Sequence, residues 1–204
     1  MIQKLALALF LVISAAIVAL LLVASMRPAT YRIERRTLIA AAPYDVYNVV
    51  SDLHRFPEWS PWQDLDPSMR TDWSGPATGP GATYHWVGDD KVGEGRMTLR
   101  RMIPADRVSI ALEFVKPFAS TSDLDFVLQP VPGGTQVSWV MSGTNNFTAK
   151  LMTLFVDMDA AVGKDFDKGL GRLKTLIEHA PPPAATPAPA DTTDEAFPDT
   201  AVAR

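Results

Sequence analysis

The sequence predicts an α+β domain, an antiparallel sheet covered by one long C-terminal helix, set behind an N-terminal helix long enough to cross a membrane. Three observations predict it. Leu5 to Ser25 is a run of 21 residues without a charge. Between Tyr31 and Met141, short segments alternate apolar and polar residues and are separated by turns rich in Gly and Pro, which marks consecutive strands with one buried and one wet face. From Leu151 to Ile177 the apolar spacing changes to steps of three and four, the stripe of an amphipathic helix.

As a helix, the first run spans roughly 31 Å, close to the ~30 Å hydrocarbon thickness of a bilayer. Secretory signals have shorter apolar cores of about 7–15 residues. Val23-Ala24-Ser25 offers a signal-type cleavage site, but the length argues for a retained single-pass anchor that meets the membrane through residues 5–25. The run is apolar on every face, unlike a helix half-buried on a soluble domain. Lys4 flanks one end, and Arg27, Arg32, Arg35 and Arg36 flank the other. That count favours the cytoplasmic side for the rest of the chain, discounted because the last three arginines fall in an expected strand.

The 204 residues suit one domain with extensions. Apolar residues make up 47% and charged residues 21%, and the net charge is −4, which gives no general attraction to nucleic acid. With no cysteine, disulfide frameworks, thiol chemistry and Cys-ligated metal are excluded. Four regions follow: the anchor at 1–26, a linker at 27–30, the folded domain at 31–179, and a tail at 180–204. The tail is rich in Pro, Ala, Thr and Asp. It has too few large apolar residues to offset ordering entropy and reads as disordered.

Within the domain, Tyr31 to Ala40 reads as the first strand, with Tyr31, Ile33 and Ile39 in one phase. Pro43 opens a helix whose Val46, Val49 and Val50 share a face. Phe56-Pro57-Glu58-Trp59-Ser60-Pro61-Trp62 packs three aromatics and two prolines into a stiff bend, a lid over a core or a pocket. Gly75 to Gly81 is breaker chemistry. Five strands then alternate, with Tyr84 and Trp86, Met97 and Leu99, Ile110, Leu112 and Phe114, Leu124 and Phe126, and Trp139 and Met141 on the apolar phase. The last helix carries Leu151, Leu154, Phe155, Met158, Val162, Phe166, Leu170, Leu173 and Ile177 on one stripe. Gly163, Gly169 and Gly171 each cost it about 1 kcal/mol against Ala, so they imply close approach or space left on the sheet side.

These pieces resemble the helix-grip fold of the START-like (SRPBCC) superfamily, and within it the polyketide cyclase/dehydrase and lipid-transport family. Four stretches carry the resemblance across nearly the whole domain. They are Ile39-Ala40-Ala41-Ala42-Pro43 with Val46 and Val49; Asp52 with Phe56 to Trp62; Gly81-Ala82-Thr83-Tyr84-His85-Trp86 with Gly93-Glu94-Gly95-Arg96-Met97; and Asp159 with Val162-Gly163-Lys164-Asp165-Phe166, Gly169-Leu170 and Leu173-Lys174. The resemblance implies two short helices after the first strand and a hydrophobic cavity between the sheet and the long helix. Its expected lining is Trp59, Trp62, Tyr84, Trp86, Leu99, Ile110, Leu112, Phe114, Phe126, Trp139 and Met141 from the bend and the strands, with Met158, Val162 and Phe166 from the helix.

Three functions fit. The first is non-catalytic binding or transport of a hydrophobic small molecule, of lipid, isoprenoid or quinone-like class. The second is a polyketide cyclase or dehydratase, with His85, Arg101 and Tyr84 as candidates for its chemistry. The third is a protein-interaction module with a filled core. Catalysis needs an acid or base at hydrogen-bond reach inside the cavity. Strand phase sends His85, Glu113, Asp123 and Asp125 outward. Arg101 shares a phase with Met97 and Leu99, or leaves the sheet near Pro104. The three histidines form no i, i+4 pair, no Gly-rich phosphate loop is present and no nucleophile elbow occurs. No catalytic residue, metal or cofactor is expected.

Overall fold

The structure is a computed structural model that describes residues 2–180. The tail expected to be disordered therefore lies outside the described residues, apart from Ala180. Helix α1 (Ile2–Ser25) leads through a short link into strand β1 (Thr30–Ile39). Two short helices follow, α2 (Pro43–Val50) and α3 (Phe56–Trp59). Six strands come next: β2 (Arg70–Ser74), β3 (Thr83–Val87), β4 (Glu94–Ile103), β5 (Arg107–Lys116), β6 (Ser120–Val131) and β7 (Gly134–Thr144). Two helices, α4 (Phe147–Met152) and α5 (Met158–Glu178), end the described chain.

The strands form a single sheet in the order β1-β7-β6-β5-β4-β3-β2, every neighbouring pair antiparallel. Its inner face carries the apolar phase of β1 and of β3 to β7. Phe166, Leu170, Leu173 and Ile177 of α5 are buried against it. Pro43 starts α2 at a position whose N–H needs no partner, and Val46, Val49 and Val50 are buried. This is the helix-grip arrangement.

Three details depart from the sequence reading. The C-terminal stripe is not one helix. It breaks between Met152 and Met158, where the Asp157 carboxylate accepts from the Ala160 N–H and caps α5. Leu151, Leu154 and Phe155 therefore belong to α4 and the turn after it. Second, the β4–β5 pairing slips between Leu99 and Arg101. A bulge opposes two residues to one and re-aims those that follow. Arg100 and Arg101 are both exposed, and Met102 rather than Arg101 returns to the apolar side. Third, β2 was not foreseen. It is a short edge strand of polar residues around Trp73 with no apolar alternation to reveal it.

Register places several features at one end of the sheet. Thr30 pairs with Thr144, Glu94 with Lys116, and Val87 with Glu94. The end of α1, the β3–β4 hairpin, the β5–β6 hairpin and α4 thus share that end. There the Asn145 N–H donates to the Ala29 carbonyl at 2.8 Å, and α4 packs against α1.

Candidate functional site

A cavity of about 220 Å³ lies between the sheet and the N-terminal half of α5. Its floor is the inner face of five strands: Tyr84 and Trp86 of β3, Met97 of β4, Leu112 and Phe114 of β5, Leu124 of β6, and Trp139 and Met141 of β7. Met158, Val162, Asp165 and Phe166 of α5 form the roof. Phe56, Ser60, Trp62 and Met69 close one side. Lys91 and Val92, from the β3–β4 hairpin, form the rim. Lys91 and Met158 are the exposed members of the lining and mark where it meets the outside.

Each wall follows from local sequence. Period-two alternation turns Tyr84, Met97, Leu112, Leu124 and Met141 to one face. The bend from Phe56 to Trp62 is fixed by edge-to-face aromatic contacts, with Phe56 4.9 Å from Trp59 and Trp62 5.9 Å from Trp139 between ring centres. It is also tied to α5. Arg172 donates to the Ser60 carbonyl at 2.8 Å and bonds Asp64, which Lys168 meets at 3.2 Å. Those hydrogen bonds, from Arg172 first, hold the Asp64 carboxyl below its ordinary pKa. The rim is pinned too. Asp66, buried, accepts from the Ser68 hydroxyl and N–H and from the Asp89 N–H at 2.8 Å. Its pKa is lowered, mainly by the Ser68 hydroxyl.

Ten of the expected lining residues border the cavity: Trp62, Tyr84, Trp86, Leu112, Phe114, Trp139, Met141, Met158, Val162 and Phe166. Four do not. Trp59 is 1% exposed and wedged edge-on between Phe126 and Trp139. Leu99, Ile110 and Phe126 join the packed core, where α2 lies over β5, β6 and β7 and leaves no room. Residues of the Gly75–Gly81 loop do not border the cavity either. The residues not anticipated include Met97 and Leu124, which alternation already put on the right face. Met69, Lys91 and Val92 sit in loops where no periodicity exists to point them inward.

Two helix glycines explain the close fit of α5. At Gly169 a β-carbon would stand 2.7 Å from the Trp139 ring and 3.2 Å from Pro61. At Gly163 it would collide with the Arg35 guanidinium, which crosses α5 there to pair with Asp159 at 3.0 Å and Asp167 at 3.4 Å. Gly171 has nothing within 4 Å and serves no contact.

Few polar groups reach the interior. Burial pushes the Tyr84 hydroxyl up to about 12, so it stays protonated at neutral pH. The indole N–H groups of Trp59 and Trp139 are buried without a partner. His85 lies on the outer face, with Nδ1 2.9 Å from Asp72 and Nε2 3.7 Å from Glu94. The Lys116 ammonium at 2.7 Å is the main cause that holds the Glu94 carboxyl below its usual pKa. His85 and Arg101 thus stand on the outer side of the sheet and Tyr84 in the cavity wall. The geometry does not bring the three together.

Residues 30–178 match the sequence model of a family described as polyketide cyclase / dehydrase and lipid transport. The chain belongs to this family. Solved structures agree on the fold. Protein CV1439 from Chromobacterium violaceum is 16% identical with a TM-score of 0.53, over 75% of this chain and 100% of that one. Protein MLL2253 from Mesorhizobium loti is 16% identical with a TM-score of 0.55, over 74% and 99%. The Aha1 protein from Colwellia psychrerythraea, solved as a dimer, is 20% identical with a TM-score of 0.53, over 73% and 97%. At these identities the likeness concerns the fold alone. No curated protein matches the sequence.

Proposed function

We propose that this protein is a membrane-anchored binder or carrier of one hydrophobic small molecule, of lipid, isoprenoid or quinone-like class, held in the cavity without chemical change. The observation that carries the reading is the lining: of its eighteen residues, only Ser60, Lys91 and Asp165 bear side chains that are neither aliphatic nor aromatic. Ligand sites in proteins are concave and mostly apolar, with few polar groups to orient the guest. A volume of about 220 Å³ falls below the roughly 300–1,000 Å³ usual for a drug-sized ligand. It suits a ring or a short stretch of chain whose remainder passes out at the rim. Met69, Met97, Met141 and Met158 lie in the wall, and unbranched, polarizable side chains can repack to enlarge it.

Helix α1 is long and apolar enough to cross a membrane. Retained as an anchor, it keeps the cavity near the bilayer, where an apolar ligand is concentrated and water is not. Tethering raises the effective concentration of binder at its source. The outward placement of His85 and Arg101 favours binding over cyclase-type chemistry, which needs an acid or base at the substrate.

Native mass spectrometry of the full chain after mild detergent extraction tests this. The expected result is a co-purifying apolar mass released on unfolding. A chain that carries none, and takes up none from liposomes doped with quinone or isoprenoid, overturns the reading.

A further inference from the structure

The end of the domain that carries α1 is also its most apolar surface. On α4 and the turn after it, Phe147, Met152, Phe155 and Val156 are 49%, 45%, 73% and 42% exposed. Met158, 45% exposed, continues this strip directly into the cavity rim. Phe118, 64% exposed, sits in the β5–β6 hairpin at the same end by strand register. Single exposed apolar residues need no explanation, but a contiguous patch marks an interaction surface.

The position of α1 says which surface it meets. Helix α4 packs on the last turns of α1, where Ala24 is fully buried. Leu20 and Leu21, at 37% and 40%, are the least exposed large side chains of that helix. A 21-residue uncharged run spans about the hydrocarbon thickness. Whatever rests on its final turns therefore lies at the boundary between acyl chains and headgroups. Asp157 and Asp159 stand exposed at the same end as Arg27 and Lys116, so this end carries charges of both signs and the apolar strip, rather than a net charge, supplies its attraction to the bilayer.

We propose that α4, the turn through Val156 and the tip of the β5–β6 hairpin are seated in the interfacial layer of the bilayer that α1 crosses. The rim of the cavity at Met158 then opens onto lipid, and a ligand passes between bilayer and cavity without crossing water. This rests on α1 being retained as an anchor.

The full chain in phosphatidylcholine nanodiscs provides the test. Because the sequence has no cysteine, Leu11→Cys, Phe155→Cys and Tyr44→Cys each give a unique site for an environment-sensitive fluorophore. All three positions are exposed on the protein, at 58%, 73% and 59%, and Tyr44 lies at the opposite end, beyond the end of β1. The expected result is blue-shifted emission quenched by nitroxide-bearing lipid at 11 and 155, with neither effect at 44. Quenching at 11 but not at 155 overturns the seating and leaves the anchor intact. A blue shift at 155 without lipid quenching also overturns it, because a second protein copy then covers the corner. No quenching at 11 removes the anchor and the seating together.

Discussion

Two glycines, two residues apart on α5, should respond differently to the same substitution. Replacing either with alanine in the middle of a helix contributes about 1 kcal/mol of helix propensity. At Gly171 nothing lies within 4 Å of the new β-carbon, so the full gain survives. For a domain of this size it raises the melting temperature by about 2–4 °C. At Gly169 the new β-carbon stands 2.7 Å from Trp139 and 3.2 Å from Pro61. Trp139 has no easy retreat. Its ring is stacked on Phe166 at 4.1 Å, with planes 6° apart, and is braced by Trp59 at 5.4 Å. Overpacking of this kind costs about 1–3 kcal/mol. The propensity gain is common to both variants and cancels between them. Gly169→Ala should therefore be less stable than Gly171→Ala by about 1–3 kcal/mol. The assay is guanidinium unfolding of the full chain in mild detergent, followed by tryptophan fluorescence and circular dichroism, with equal denaturant slopes as the control. Coincident midpoints for the two variants, or a more stable Gly169→Ala, would refute the packing of α5 on Trp139.

Further outcomes follow from the same geometry. Val162→Trp puts a large ring into the roof of the cavity; an overpacking cost of about 1–3 kcal/mol on the filled state weakens ligand retention roughly 5- to 150-fold, measured by liposome uptake, while circular dichroism stays unchanged. Asp64 has a lowered pKa in the folded state, so its contribution to stability is present above the unfolded value near pH ~4 and is lost as pH falls through the folded value. Asp64→Asn should accordingly make unfolding less steeply pH-dependent below about pH 4; an unchanged acid limb would show that Arg172 and Lys168 do not hold it.

Much of the fold was legible because alternation and helical spacing are local. Tyr84, Leu112 and Met141 could be assigned to one face from their neighbours alone. The bulge after Leu99 could not, since the pairing slip depends on the partner strand. It turned Arg101 outward, where the spacing from Met97 and Leu99 left an inward placement open beside an exit near Pro104. The break before α5 left a trace, in that Asp157 and Asn146 are helix-capping residues. The apolar stripe runs through the break at helical spacing and masks it.

The sequence by itself determined an apolar helix of membrane length, a sheet with one greasy face and a helix to cover it, because each depends on the order of residue types along a few turns or strands. Only the tertiary structure decided where that greasy face is filled and where it is left open. Trp59, Leu99, Ile110 and Phe126 are as apolar as their neighbours, yet they close into the packed core, where Trp59 meets Phe126 edge-on and α2 lies over β5 and β6. Trp86, Phe114 and Val162 lie where no element arrives to fill the space. A cavity is set by the volume between elements, and no residue carries that quantity alone.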